Sequence, residues 1–352
     1  MDKQLNTLIA LCRRYGSSRY VSAGGGNVSW KNENTLWIKA SGTYLANADE
    51  STLVAVQRKA LGDLYQTTVP ENSSEREAWA KQIIQQAVED SESSGRPSVE
   101  TPLHDLFEAA YVVHTHAPLV NGLTCARNAE SACRRLFPEA LWVPYVDPGV
   151  TLCLYVQRQF EDYVRGHGRE PSLIIMQNHG MVVAADELAE IDRIHGRIFK
   201  VLEETYRKAD LDMDNPEYEL EGVSSFPAPE LTGQAGPKPV ILKCTGFQPV
   251  PGPLTPDHVV YSGVEPFYTA NGDTLDAYRE RIGSEPRLLV HENTLYVQES
   301  THAKAKTACD LAADGALVLR LTEAFGGVNF MSEQQWRFVV SWEAESYRQS
   351  IT

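Results

Sequence analysis

The stretch that decides the fold is PSVETPLHDLFEAAYVVHTH, residues 97–116. It places a carboxylate at Glu100 and ends in a β-branched run that carries His114 and His116. Residues two apart on a strand project from the same face, so a strand over residues 111–116 directs both imidazoles to one spot. Two imidazoles on one face suit a borderline-soft divalent ion such as zinc. The sequence therefore predicts a metal site at the end of this strand.

A third ligand is expected from His179. The apolar run Leu173–Met176 predicts a buried strand, and the following QNHG, residues 177–180, is typical of a tight bend. Two histidines from one strand and one from another strand end leave an open coordination position for substrate, as catalytic zinc requires. A buried histidine is otherwise usually a hydrogen-bonded packing residue, and we interpret His104 as a residue that packs the helix or supports the site from behind the ligands, rather than as a ligand.

Two short segments near the N-terminus have the composition of anion-binding turns. Three glycines before Asn27, at 24–26, allow positive φ and let backbone N–H groups approach an anion, although such a run alone is most often a flexible turn. Ser41 and Thr43 flank Gly42 in a donor-rich turn, which is otherwise an ordinary strand ending. Neither segment matches a dinucleotide-binding fingerprint.

A helix start lies next to the carboxylate in the central stretch. Thr101 is a good N-cap and Pro102 suits the first helical position. The free N–H groups and the dipole of a helix N-terminus favour anions. Ser98 and Glu100 are therefore expected at a position that suits a phosphate.

Five segments in order resemble the motifs of the class II aldolase/adducin family, which contains zinc-dependent sugar-phosphate aldolases and epimerases. They are GGGNVSW (24–30), KASGTYL (39–45), PSVETPLH (97–104), HTH (114–116) and NHGMVV (178–183). The resemblance covers roughly the first two-thirds of the chain. The chain is similar above all to the aldolase half of bifunctional rhamnulose-1-phosphate aldolase/lactaldehyde dehydrogenases.

The resemblance implies an α/β fold of three layers, α/β/α, with a central, mainly antiparallel sheet. It also implies Glu100 as the proton-transferring residue, a homotetramer with sites at subunit interfaces, and a tyrosine from a neighbouring subunit. The remaining implied roles are metal binding by His114, His116 and His179 and phosphate binding by Asn27, Ser41, Gly42 and Ser98. Many sugar-phosphate aldolases carry two serines before the glutamate, whereas this chain has Ser98-Val99. The phosphate contacts, and so the exact substrate, stay open.

The chain divides by composition into two folded parts and a connection. Helical periodicity continues to about residue 210, and we assign 1–210 to the aldolase domain. Residues 211–235 are rich in Pro, Gly, Glu and Ser and are predicted to be a linker. Residues 236–352 are predicted to form a smaller C-terminal α+β unit, whose function the sequence does not indicate. A dehydrogenase half is not expected, because no dinucleotide fingerprint occurs.

Charge and composition exclude several classes of partner. The net charge of −15 over 352 residues disfavours nucleic acid and anionic membranes, which require basic surfaces. Residues 1–16 have helical periodicity interrupted by Arg13 and Arg14, unlike a signal peptide, and no apolar run has membrane-spanning length. The six cysteines lack a C-x-x-C pair and are expected to be reduced thiols. We expect a cytoplasmic protein with a small-molecule substrate.

The favoured function is a zinc-dependent aldolase that cleaves a ketose 1-phosphate to a dihydroxyacetone-phosphate-type product and an aldehyde. A class II epimerase is the first alternative, but that branch carries aspartate in place of Glu100. A decarboxylase or dehydratase on the same scaffold is also open. A non-catalytic, adducin-like module is less favoured, since such modules lack the metal histidines and carry a basic tail.

Overall fold

The computed structural model describes residues 2–66, 68–89, 95–226, 239–272 and 274–342. Within these ranges the chain forms a seven-stranded sheet followed by a five-stranded sheet, each covered by helices. None of the helices in the described ranges is both long and apolar enough to cross a membrane.

The first unit contains the seven-stranded sheet and eight helices. Its strands are β1 (Asn27–Lys31), β2 (Thr35–Lys39), β3 (Leu53–Gln57), β4 (Tyr111–Thr115), β5 (Leu141–Val143), β6 (Leu173–Met176) and β7 (Gly180–Ala185). Its helices are α1 (Asp2–Tyr15), α2 (Arg58–Gln66), α3 (Ser73–Gln86), α4 (Thr101–Asp105), α5 (Pro118–Thr124), α6 (Ala129–Leu136), α7 (Val150–His167) and α8 (Leu188–Lys208).

The sheet has the order β3-β2-β1-β4-β7-β6-β5, and every pair is antiparallel except β5 with β6. Side chains alternate between its faces because successive residues of a strand point in opposite directions. Val113 and Val183 pack with α1, α5, α6 and α8, whereas Val112 and Val182 face α4 and α7. Helices α2 and α3 cover β2 and β3 on the same side as α4 and α7. The expected three-layer fold is confirmed.

The second unit is a smaller α+β structure, as expected. Its sheet has the order β10-β11-β12-β9-β8. The strands are β8 (Glu219–Val223), β9 (Val240–Thr245), β10 (Phe267–Tyr268), β11 (Leu288–His291) and β12 (Thr294–Glu299). The helices are α9 (Pro256–Ser262), α10 (Leu275–Ile282), α11 (His302–Thr322) and α12 (Glu333–Ser341).

Strand β8 lies inside residues 211–235, which the composition predicts to be a linker. Residues 219–223 instead pair antiparallel with β9 and belong to the second sheet. The strand is at the sheet edge and most of its residues are exposed, so its polar sequence resembles that of a loop. Residues 227–238 of this region lie outside the described part of the chain.

The second unit packs against the first through α11, which lies along α5. Leu317, Leu321 and Phe325 join the apolar core of the first unit. A Cβ on Gly122 of α5 would lie 2.5 Å from Cβ of Leu321 and 2.6 Å from Oη of Tyr206, so this close approach requires a glycine. Helix α5 begins two residues after the HTH segment, and the packing therefore brings the second unit next to those histidines.

Candidate metal centre

The imidazoles of His114, His116 and His179 converge on one point. Their ring centroids are 4.6 Å (114–116), 5.1 Å (114–179) and 5.0 Å (116–179) apart, and the ring planes meet at 68–71°. One ligand nitrogen from each ring lies within 4.8 Å of the other two. This is the arrangement of three ligands around a shared cation rather than that of stacked packing residues.

The local backbone explains how the rings are brought together. His114 is on β4, between β1 and β7, where it pairs with Asn27 and Val182. His116 follows the strand immediately, and His179 lies in the bend between β6 and β7. Asn178 adopts a positive φ of 49°, which asparagine tolerates better than most residues, and so turns the chain just before His179.

The tautomers leave ring nitrogens free for a metal. Nδ1 of His114 is 2.9 Å from the carbonyl oxygen of Met181, which can only accept, so Nδ1 is the protonated nitrogen. Nδ1 of His116 likewise faces Oδ2 of Asp257 at 2.5 Å. The two Nε2 atoms are 2.9 Å apart, and in neutral rings both carry lone pairs. A proton or a cation between them removes this repulsion, and the third imidazole from His179 completes a set that suits a cation. These residues fit a divalent metal ion.

Glu100 lies against the same nitrogens. Its Oε1 is 3.3 Å from Nε2 of His179, and its Oε2 is 3.5 Å from Nε2 of His114. Nδ2 of Asn27 donates to Oε2 at 2.9 Å and so fixes the carboxylate. Asn27 thus contacts the centre through Glu100.

The electrostatics of this buried cluster favour a positive charge. Burial raises the pKa of Glu100, but attraction to His114 and His179 outweighs it and holds that pKa well below its usual range. Burial lowers the pKa of His114, but the Glu100 carboxylate reverses the effect and raises it. Burial lowers the pKa of His179 to about 4, which keeps that ring neutral and available as a ligand.

Backbone pairing joins the segments that contain the other residues expected to bind phosphate, Ser41, Gly42 and Ser98. An isolated antiparallel bridge joins Ala40 to Pro97, and the N–H of Ser41 donates to the carbonyl of Arg96 at 2.8 Å. In this register Ser41 lies opposite Arg96, and the chain from Ser41 to Gly42 runs away from Ser98. The Oγ of Ser98 accepts from the backbone N–H of Glu100 at 3.2 Å, which links Ser98 to the buried carboxylate residue.

A buried ammonium group joins the two N-terminal turns that have the composition of anion-binding turns. Nζ of Lys39 donates to the carbonyl of Gly24 at 3.2 Å and to that of Thr43 at 2.7 Å. It therefore ties the glycine turn to the Ser41–Thr43 turn and places a positive charge between them. The protein as a whole is acidic, so this ammonium group provides a local positive charge that attracts an anionic group.

His104 lies apart from the ligand set. Its Nδ1 is 2.8 Å from Oγ of Ser29, and burial lowers its pKa to about 3. The ring is fully buried between α4 and the sheet and does not belong to the three-histidine cluster. It is a packing residue, as the sequence analysis predicts.

Asp257 is a residue of the centre that the sequence analysis does not predict. It lies in the first turn of α9 in the second unit, and its Oδ2 is 2.5 Å from Nδ1 of His116. Thr255-Pro256 is a recognisable helix start. Nothing in the sequence, however, connects it to a histidine 141 positions earlier. Only the packing of the two units reveals the contact.

The family of this chain follows from its similarity to a known sequence profile. The profile described as "Class II Aldolase and Adducin N-terminal domain" matches residues 6–192, more than half of the chain. The chain belongs to the class II aldolase and adducin family. The matched region contains the three histidines, Glu100 and the glycine turn, whereas Asp257 lies outside it.

Individual relatives are distant. A Bacillus subtilis (strain 168) protein named "Uncharacterized oxidoreductase YuxG" is 27% identical over 195 residues, which are 52% of this chain and 26% of that protein. The match thus spans about a quarter of the relative's length. A class II aldolase domain from Thermoplasma acidophilum is 20% identical with a TM-score of 0.48, covering 58% of this chain and 94% of that one. For L-fuculose-1-phosphate aldolase from Thermus thermophilus the values are 15%, 0.40, 59% and 97%.

Proposed function

We propose that this family member is a zinc-dependent aldolase that cleaves a ketose 1-phosphate into a dihydroxyacetone-phosphate-type product and an aldehyde. The observation that carries the proposal is the convergence of three imidazole nitrogens beside the buried, ionised carboxylate of Glu100. A metal centre with a carboxylate at hydrogen-bonding distance is the equipment needed to develop and neutralise negative charge beside a carbonyl group.

The residues of the chain divide this work. A divalent ion held by His114, His116 and His179 supplies Lewis-acid stabilisation of the developing charge, worth several kcal/mol. Glu100 accepts a substrate proton in cleavage and returns it in the reverse direction. The amide of Asn27 donates to one carboxylate oxygen of Glu100 and keeps it in place, while the other oxygen faces Nε2 of His179.

We propose that Ser41, Gly42 and Ser98 contribute to phosphate binding. The hydroxyl groups of Ser41 and Ser98 suit phosphate oxygens, and the ammonium group of Lys39, bonded to the carbonyls of Gly24 and Thr43, adds positive charge next to the Ser41–Thr43 turn. Val99 follows Ser98 where many relatives carry a second serine. We therefore propose a phosphate held by fewer hydroxyl contacts.

Two measurements test the proposal. Metal analysis of purified protein should give about one zinc per chain, because the three histidines form one site. Three nitrogen ligands leave one coordination position of that zinc for substrate. A screen of ketose 1-phosphates should then detect aldehyde release that is abolished by chelation and restored by zinc. A chain that binds no divalent metal would contradict the proposal. Epimer interconversion or carbon dioxide release without an aldehyde would assign the centre to another reaction.

A further inference from the structure

We infer that Asp257 is a positioning residue of the metal centre, and that the second unit thereby completes a site whose ligands all come from the first. The inference rests on the proposed metal binding by the three histidines. It extends that proposal to a residue outside the segment that matches the family.

The contact between Asp257 and His116 is short and shielded from water. Oδ2 of Asp257 lies 2.5 Å from Nδ1 of His116, and the two side chains are 5% and 11% exposed. The carboxylate is carried by the first turn of α9, whose N-cap Thr255 accepts a hydrogen bond from the N–H of His258. Its position is thus fixed by a capped helix and not by a flexible loop.

A carboxylate on the outer nitrogen of a ligand histidine has a defined effect. It holds the ring in the tautomer with Nδ1 protonated, which leaves Nε2 for the metal, and it makes that nitrogen more basic. His114 is held in the same tautomer by the carbonyl of Met181 in the first unit. The orientation of one ligand thus depends on the first unit, and that of the other on the second.

The glycine turn of the first unit is shaped to admit Asp257. A Cβ on Gly25 would lie 2.1 Å from Oδ2 of Asp257 and 2.9 Å from Nδ1 of His116. No larger residue fits there without displacing the carboxylate. The middle glycine of the run is therefore needed for the contact between the units.

A second set of contacts holds the same segment next to His179. Nδ2 of Asn178 donates to the carbonyls of Leu254 and Asn329, each at 2.8 Å. Leu254 directly precedes the N-cap of α9. Two of the three ligand histidines are therefore joined to the second unit, His116 through Asp257 and His179 through its neighbour.

The experiment compares Asp257→Asn with Asp314→Asn in the full chain. Asp314 is a buried carboxylate of the same unit that bonds to Ser22 and Asn215; it lines the same cavity as Asp257 and His116 but forms no hydrogen bond with either. The apo proteins are titrated with Zn²⁺ in competition with a chromophoric chelator. We expect Asp257→Asn to weaken zinc binding by about 10- to 100-fold, the usual effect of losing such a partner, and Asp314→Asn to change it by less than about twofold.

A second variant keeps the test decisive if Asp257→Asn does not fold. Gly25→Ala removes no charge, but its methyl group overlaps Oδ2 of Asp257 and crowds Nδ1 of His116, so it breaks their contact and should weaken zinc binding to at least a similar extent. In the double variant the two losses should not add, because both break one contact. Wild-type affinity in Asp257→Asn or in Gly25→Ala would overturn the inference while leaving the metal site intact. A wild-type chain that binds no zinc would overturn both the inference and the proposed function.

Discussion

Two buried carboxylates from different units contact different members of the three-histidine cluster, one at the inner ring nitrogens and the other at an outer one. Glu100 of the first unit faces the inner Nε2 atoms of His114 and His179, at 3.5 and 3.3 Å. Asp257 of the second unit faces the outer Nδ1 of His116. The inner carboxylate lies where a substrate and a metal would meet, so it can move protons. The outer one is separated from that point by the ring and can only orient it. Position relative to the imidazole nitrogens, more than burial, therefore distinguishes the two roles.

The largest expected effect comes from removing one of the three converging imidazole rings. His114→Ala should lose nearly all bound zinc, because two imidazoles alone hold the ion poorly. Metal analysis after gel filtration measures this. His195→Ala is the matched control, since that buried ring bonds to the carbonyl of Ile191 and packs on Tyr15. Full zinc content in His114→Ala would remove this residue from the ligand set.

Changing the inner carboxylate should separate catalysis from metal binding. Glu100→Gln keeps the shape of the side chain but cannot accept a proton, so turnover should fall by about 10²- to 10⁴-fold while zinc is retained. Steady-state aldehyde release and metal analysis on one preparation measure both quantities. Glu89→Gln, at a surface carboxylate bonded to Thr35, is the control and should retain activity. Equal activity in both variants would mean that the base lies elsewhere.

A third buried carboxylate, Asp314, can be compared with Glu100 and Asp257, because it is buried like them but has no imidazole partner. Burial raises its pKa from 3.8 to about 7, so the folded chain binds this proton more tightly than the unfolded chain. Its contribution to stability is present below about pH 4 and is lost as the pH rises through about 7. The difference between the two pKa values corresponds to about 4 kcal/mol.

Denaturant unfolding at pH 5 and pH 8 checks this expectation. Asp314→Asn lacks the titrating group, so its stability relative to the wild type should increase by up to a few kcal/mol between the two pH values. Other groups titrate in both proteins and cancel in the comparison. A difference that does not change with pH would show that Asp314 is ionised at both values in the folded chain.

The smallest expected effect tests the packing that brings the outer carboxylate into place. Gly122→Ala at the contact between α5 and α11 should destabilise the chain by about 1–3 kcal/mol, because the added methyl overlaps Leu321 and Tyr206. Gly196→Ala in α8 meets nothing within 4 Å and should stabilise by up to about 1 kcal/mol. Urea unfolding of both variants measures the two signs. If Gly122→Ala left the free energy of unfolding unchanged, α5 and α11 would be able to move apart at no energetic cost.

The convergence of the three histidines could be predicted because its signal is local. His114 and His116 are two positions apart on a β-branched run, and the strand period directs both rings to one face. His179 follows an apolar run and precedes a glycine whose Cβ would lie 2.3 Å from the carbonyl of Thr115. Patterns of this kind depend on a few adjacent residues, which the sequence displays directly.

Other features could not be predicted because their signal is not local. Strand β8 is polar and lies at the sheet edge, so it resembles the linker that its composition predicts. Asp257 follows an ordinary helix cap, and only the contact with His116 distinguishes it from any other first-turn acid. The pairing of the Ser41 segment with the segment that precedes Ser98 depends on a bridge between residues 57 positions apart, Ala40 and Pro97.

The sequence by itself determined most of the alternation of strands and helices, the family motifs, and the three histidines and the glutamate that converge in the first unit. Tertiary structure alone decided that a second unit lies over the centre and contributes a carboxylate to it. The physical reason is that strand and helix periodicity arise from neighbouring residues. The approach of α9 to His116, in contrast, results from the packing of α11 on α5 and from the space left at Gly25, which involve residues far apart in the chain.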